Sequence, residues 1–163
     1  LMESKIINMT SKNHWTFDQT TKDEMTNLFA YGFPLWTTDR FGRENMALEL
    51  RESKLNYLQV PPDVYFTNEL TITLWTKLFN YTTRGRLIDF GNGPDKENLI
   101  LSYYEINFNT PYGVVVNDEF KYKCFIARNF SKLTLNVWYH LSLSLSASEK
   151  RAKLYINGQL MIN

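Results

Sequence analysis

The side chains of this chain best able to act as a base or a nucleophile are His14, His140 and Cys124. Nucleophilic catalysis needs a base within hydrogen-bond reach of the attacking group, and histidine is the usual one near neutral pH. Both histidines fall inside strand patterns, and His140 shares its face with Ser142 and Ser144, so these residues read as members of a sheet. One cysteine and two distant histidines make no zinc set. Cys124 has no internal disulfide partner and sits in the apolar run Phe120 to Ala127, where it reads as a buried small hydrophobe with a protected thiol. Asp89-Phe90-Gly91 spells the magnesium triplet of protein kinases, but the Gly-rich loop, the strand lysine and the His-Arg-Asp triplet that give it meaning are absent. Gly91-Asn92-Gly93 is no dinucleotide fingerprint either, because Lys96 follows and no helix pattern begins there. Three N-x-S/T sequons remain, headed by Asn8, Asn80 and Asn129, all in or beside loop or tail segments. Asn80 is the leading acceptor, since it opens a polar turn just after the longest strand, and Asn129 is second.

The segment that must position most of these groups runs from Trp138 to Ile162. Tyr139, Leu141, Leu143 and Leu145 alternate with His140, Ser142 and Ser144, which at a side-chain period of two makes a half-buried strand. Further on, Asn157-Gly158 separates two apolar runs. A type I′ turn needs positive φ at both central residues, so this dipeptide predicts a hairpin. A second clean strand lies at Leu70 to Lys77, with Leu70, Ile72 and Leu74 on one face and Thr71, Thr73, Trp75 and Lys77 on the other.

Residues 1 to 13 are polar and aperiodic and read as an arm. His14 to Phe17 is a candidate first strand, and Asp18 to Asn27 reads as loop or at most one helical turn. Leu28 to Thr38 reads as two short extended pieces around a bend, and Asp39 to Arg43 as a turn. Met46 to Arg51 and Asn56 to Val60 are short strands, the second stopped by Pro61-Pro62 because proline cannot donate to a ladder. Arg86 to Gly91, Asn98 to Tyr104, Tyr112 to Val116 and Phe120 to Ala127 are further strands, the last two joined about Asn117-Asp118. No segment carries a long helical stripe, and about ten to thirteen short strands at regular spacing predict an all-β, two-sheet sandwich. Most of the aromatic residues alternate with polar ones inside strands, so core packing is the expected place of any one ring.

A chain of 163 residues is one domain by size. Eighteen basic against seventeen acidic residues leave a net charge of +1, which provides no field to hold a phosphate backbone or an anionic membrane. Nucleic acid is therefore not an expected partner. No apolar run approaches the roughly 18 residues of a membrane span. A first residue of leucine suggests processing or excision from a longer chain, so the lack of a signal sequence does not argue against secretion.

Trp138 with its alternation, a short charged loop and Leu154-Tyr155-Ile156-Asn157-Gly158-Gln159-Leu160 together resemble the penultimate region of laminin-G-like, concanavalin-A-like jelly-roll domains. Ala47 to Leu50, Tyr57 to Pro61, Leu70 to Lys77 and Leu87 to Gly91 follow the order of that family's successive strands over roughly His14 to Ile162. The resemblance implies a jelly-roll domain over residues 14–163 that lacks its last strand, leaving a vacant edge beside the His14 to Phe17 strand. A neighbouring chain or the continuation of the polypeptide would supply that strand. It implies an extracellular or cell-surface adhesion or assembly module that binds a protein or glycan ligand, with a carbohydrate-binding lectin as the alternative. It also implies calcium at one rim, for which Asp89, Asn92, Asp95 and Asp118 supply oxygens of suitable type. Glycoside hydrolases of the same fold carry a pair of carboxylates along one strand. No strand here offers acidic residues at i, i+2 or i+4 facing one groove, since Glu49 and Glu52 straddle opposite faces and Asp118-Glu119 occupy a turn. Catalysis is therefore not expected.

Overall fold

A computed structural model describes residues 13–51, 57–61, 69–83, 85–91, 98–104, 112–116, 122–126, 132–146, 148–149 and 151–162, with the side chains of 112–116, 122–126 and 162 left out. The chain groups into two compact units, Leu1–Val64 and Tyr65–Asn163. Among the described residues every regular element is a strand, and every strand pair is antiparallel.

The second unit holds the sandwich. Its strands are β5 (Glu69–Lys77), β6 (Arg86–Phe90), β7 (Leu99–Ser102), β8 (Tyr112–Val116), β9 (Tyr122–Ile126), β10 (Trp138–Ser146), β11 (Arg151–Ile156) and β12 (Gln159–Ile162). One sheet has the order β12-β11-β10-β5 and the other β6-β7-β8-β9. The alternation read in the sequence decides which residues meet between them. Leu141 lies opposite Leu74 and Ile156, and Leu143 opposite Ile72 and Leu154, so one face of three strands is aliphatic throughout. That face packs on Leu99 and Leu101 of β7, with Ile88 and Phe90 of β6 at its margin. A second cluster joins Leu141 and Ile156 to Leu78 and Leu133. Each buried leucine contributes about 1.5–3 kcal/mol through removal from water, which is why a period-two pattern suffices to choose the inner face.

Asn157 and Gly158 both have positive φ, as the hairpin between β11 and β12 requires. Asn157 also extends the ladder past the end of β11. Its N–H donates to the His140 carbonyl at 2.7 Å, and its side-chain Oδ1 accepts the His140 N–H at 2.8 Å. At the start of β6, a Cβ on Gly85 would meet the Tyr103 ring at 2.2 Å, so any larger residue would have to displace that ring. The buried Ser102 hydroxyl donates to the Gly85 carbonyl at 2.6 Å and holds this corner to β7.

The first unit contains β1 (Tyr31–Gly32) paired with β4 (Leu58–Gln59), and β2 (Leu35–Thr37) paired with β3 (Ala47–Glu49). The expected strand at His14 to Phe17 is not formed. Phe17 and Gln19 have φ near +60°, and the Asp23 carboxylate takes the His14 N–H that a ladder would need. Asp23 is fully buried and accepts from His14 N, Met25 N, Asn13 Nδ2 and Thr26 Oγ1 at 2.7–3.0 Å. Burial alone would raise its pKa. The hydrogen bonds from His14, Thr26, Asn13 and Met25 outweigh that and hold it at about 2. Asp39 caps the turn between β2 and β3 in the same way, accepting from Phe41 N, Arg43 N and the Arg43 guanidinium. Burial opposes its ionisation, yet those bonds and the Arg43 charge leave its pKa lowered.

With no strand at 14–17, the expected vacant edge does not lie there. Among the described residues the edges of the larger unit's first sheet are β12 and β5.

Candidate functional site

The outer face of the β12-β11-β10-β5 sheet carries the groups with the most chemistry. Residues alternate, so every position between the buried leucines points the other way. Across β5 and β10 the outward rungs are Lys77 with Trp138, Trp75 with His140, Thr73 with Ser142, Thr71 with Ser144, and Glu69 with Ser146. Strand β11 adds Tyr155 beside Ser142, Lys153 beside Ser144 and Arg151 beside Ser146. One face therefore runs from an aromatic end over a floor of small hydroxyls to a charged end.

At the aromatic end Trp75, Trp138, His140 and Asn157 line a shallow depression of about 500 Å³. Trp75 is 44% exposed, although it lies on one of the two longest described strands. Its ring meets the His140 imidazole at a centroid separation of 5.2 Å, tilted by 47°. The Lys77 ammonium lies 5.2 Å from the Trp138 ring centroid and 5.4 Å from that of the exposed Phe79. A cation placed over π faces in this way is attracted by their quadrupoles. Because Asn157 commits its Oδ1 to the His140 backbone, its NH₂ remains as the group that can donate to a ligand. The depression thus combines flat apolar rings, an imidazole, an amide donor and a cation. Such a surface can stack on the C–H face of a ring and hydrogen-bond the hydroxyls around it.

At the other end Glu69, Ser144, Ser146, Glu149, Arg151 and Lys153 line a polar depression of about 130 Å³. Two carboxylates that are distant in sequence share it, which a search along single strands misses. Glu69 Oε1 accepts from the hydroxyls of Ser146 at 2.7 Å and Ser148 at 2.9 Å. That carboxylate, at the start of β5, is engaged as an acceptor by the end of β10 and the residues just after it.

The residues singled out from sequence fare differently. Asp89 lies on β6 opposite Ile100, 40% exposed, and is ion-paired with Arg86. Asp89 alone, matched by a guanidinium, does not fit a cation that wants six or more oxygens. Asn92, Asp95 and Asp118 lie outside the described residues, as do Asn8 and Asn129. Asn80 is exposed in a bend after β5. Cys124 lies on β9 opposite Val114, and its side chain is outside the described set. His140 keeps the sheet position expected of it, next to Ser142 on the polar face. Core packing was the general expectation for any one aromatic ring, and Trp75 and Trp138 depart from it. Their parity carried the contrary signal, because Trp75 alternates with Ile72 and Leu74, and Trp138 shares its parity with His140.

From Glu69 onward the described residues form two four-stranded antiparallel sheets, one of them with a chemically differentiated outer face. Residues 52–163 match the laminin G 3 family model, described as the concanavalin A-like lectin/glucanases superfamily. The chain belongs to that family. No curated protein and no solved structure matches it. Domains of this kind bind carbohydrate or protein in general and are typically non-catalytic, although the superfamily includes glycosidases.

Proposed function

We propose that this chain is a non-catalytic glycan-binding module, serving adhesion or assembly within a larger secreted or surface protein. The observation that carries this reading is the exposure of Trp75 beside Trp138 and His140 on a face whose opposite side is the core. Burying an aromatic ring is favourable, and adjacent partly exposed rings on one rigid face form the kind of contiguous apolar patch that marks a binding surface. Strands β5 and β10 hold both tryptophans in one unbroken ladder, so the platform is preorganised and little ordering entropy is lost on binding. The polar end does not favour catalysis, since Glu69 is already engaged by two hydroxyls.

Binding of the full chain to a glycan array, followed by titration of the best glycan, tests the site. Trp75→Ala and Trp138→Ala are each expected to weaken that binding by about tenfold, which is about 1.4 kcal/mol, with far-ultraviolet circular dichroism unchanged. Unchanged affinity in both variants would sink the platform. Loss of binding on adding a chelator would move the site to the oxygen donors Asn92, Asp95 and Asp118.

In a secreted parent, Asn80 is the acceptor for N-glycosylation, because it is exposed in a bend and followed by Tyr81-Thr82. Mass spectrometry of natively sourced protein is expected to find a glycan there. Bare asparagine at Asn8, Asn80 and Asn129 alike would count against the extracellular reading.

A further inference from the structure

Asn157 lines the aromatic depression and is followed directly by glycine. The backbone nitrogen of the residue after an asparagine can close a five-membered ring on the side-chain Cγ, so this dipeptide carries both partners of an acyl-transfer step. Asparagine is for that reason among the thermally labile side chains. The step needs an accessible nitrogen, a polarised amide carbonyl and an amide nitrogen that can leave. The turn between β11 and β12 meets each need.

Gly158 has no side chain to shield its nitrogen. It is exposed, and a Cβ placed on it would meet nothing within 4 Å. It belongs to neither flanking strand, and among the described residues its N–H makes no hydrogen bond. The carbonyl is polarised because Asn157 Oδ1 accepts the His140 N–H at 2.8 Å. A backbone donor aimed at that oxygen stabilises the negative charge that attack on Cγ develops there. Asn157 is itself exposed, so solvent can relay the proton that the departing Nδ2 takes up. Bringing the nitrogen to Cγ needs a rotation within the turn, and exposed turns at the ends of hairpins open locally at low free energy.

We propose that Asn157 is a site of spontaneous deamidation and that its conversion ages the aromatic platform out of its ligand-binding state. The Gly158 nitrogen gives up its proton and bonds to Asn157 Cγ, the Cγ–Nδ2 bond breaks, and Nδ2 leaves with that proton as ammonia. Water then opens the succinimide at either carbonyl, its hydroxyl going to the carbonyl carbon and its proton to the Gly158 nitrogen. One water is consumed and one ammonia released, and the product is aspartate or isoaspartate. Either one replaces the amide donor of the depression with a carboxylate. Isoaspartate also adds a methylene to the main chain, which displaces the two hydrogen bonds that join Asn157 to His140. The effect on binding rests on the platform being the glycan site, whereas the modification does not.

Incubation of the full chain in neutral and mildly alkaline buffer, followed by peptide mass spectrometry, tests the modification. Asn157 is expected to convert ahead of Asn80 and Asn136, which no glycine follows, and faster at the higher pH because the attacking nitrogen must lose its proton. Asn157→Gln cannot close the five-membered ring and is expected to gain no charge at that position. Anion exchange separates the aged form by its added negative charge, and its affinity for the best glycan is expected to fall by at least tenfold. A readout that needs no ligand is the His140 ring. A carboxylate at position 157 favours the imidazolium, so nuclear magnetic resonance titration of Asn157→Asp is expected to show His140 titrating at higher pH than in the unsubstituted protein. An intact Asn157 under conditions that deamidate a free peptide of residues 152–162 overturns the proposal, as does an aged form that binds the glycan unchanged. If the fresh protein binds no glycan, the platform reading falls separately, and an unmoved His140 titration then overturns the effect of Asn157 on the site.

Discussion

Residues 13–51 gather around two carboxylates, whereas the sandwich of residues 69–162 gathers around leucines. In the first region Asp23 collects four donors from residues within ten positions of itself, and Asp39 collects its own from Phe41 and Arg43. In the second, Leu141 and Leu143 meet residues more than 60 positions away on β5, and Leu143 clusters with residues about 40 away on β7. A buried ionised group needs donors at fixed geometry, and a short loop can bring them. A leucine needs only to be covered, and two sheets can do that along their whole length. The first kind of order is local and sensitive to pH, and the second is cooperative and insensitive to it.

The comparison breaks most visibly at Leu143. This side chain is fully buried at the centre of the cluster with Leu99, Leu101 and Leu154. Leu143→Ala is expected to cost about 3–5 kcal/mol by urea denaturation, the sum of lost transfer energy and the cavity left behind. A loss below about 1 kcal/mol would show that the two sheets are not packed through this residue.

Asp23 sharpens the contrast. Asp23→Ala is expected to remove about 2–3 kcal/mol of local stability from residues 13–30, because several donors to a charged acceptor lose their partner together. Limited proteolysis and hydrogen exchange should show that segment opening, while the urea midpoint of the sandwich stays put. Acid should reproduce the effect in the unsubstituted protein. The folded pKa of Asp23 lies at about 2, below its ordinary value of 3.8, so the ionised form contributes its full stability above that ordinary value. The contribution is lost as the pH falls towards 2, and the 13–30 segment is expected to loosen before the sandwich does. Simultaneous melting of both regions on acidification would abolish the distinction.

Much of this molecule is decided by local pattern and could be read directly. The alternation at Leu70 to Lys77 and Tyr139 to Leu145, and the Asn157-Gly158 turn, depend on pleat period and on φ at two residues, which neighbours in sequence control. The all-β sandwich followed from them. The strand expected at His14 to Phe17 failed because the competitor for its backbone was the Asp23 side chain nine residues on, beyond the few neighbours that a period-two pattern reads. The same limit governs the site. Parity showed that Trp75 and Lys77 face away from Ile72, and that Trp138 faces with His140. Only the pairing of β5 with β10 sets Trp75 beside His140 and Lys77 beside Trp138, and only the packing of β7 on the leucine face makes the opposite face the wet one. Glu69 and Glu149 line one depression because Ser146, at the end of β10, stands opposite Glu69 at the start of β5, a pairing that no spacing along either strand encodes. Secondary structure and side-chain parity are properties of adjacent residues, whereas the identity of the exposed face is a property of which sheet covers the other one.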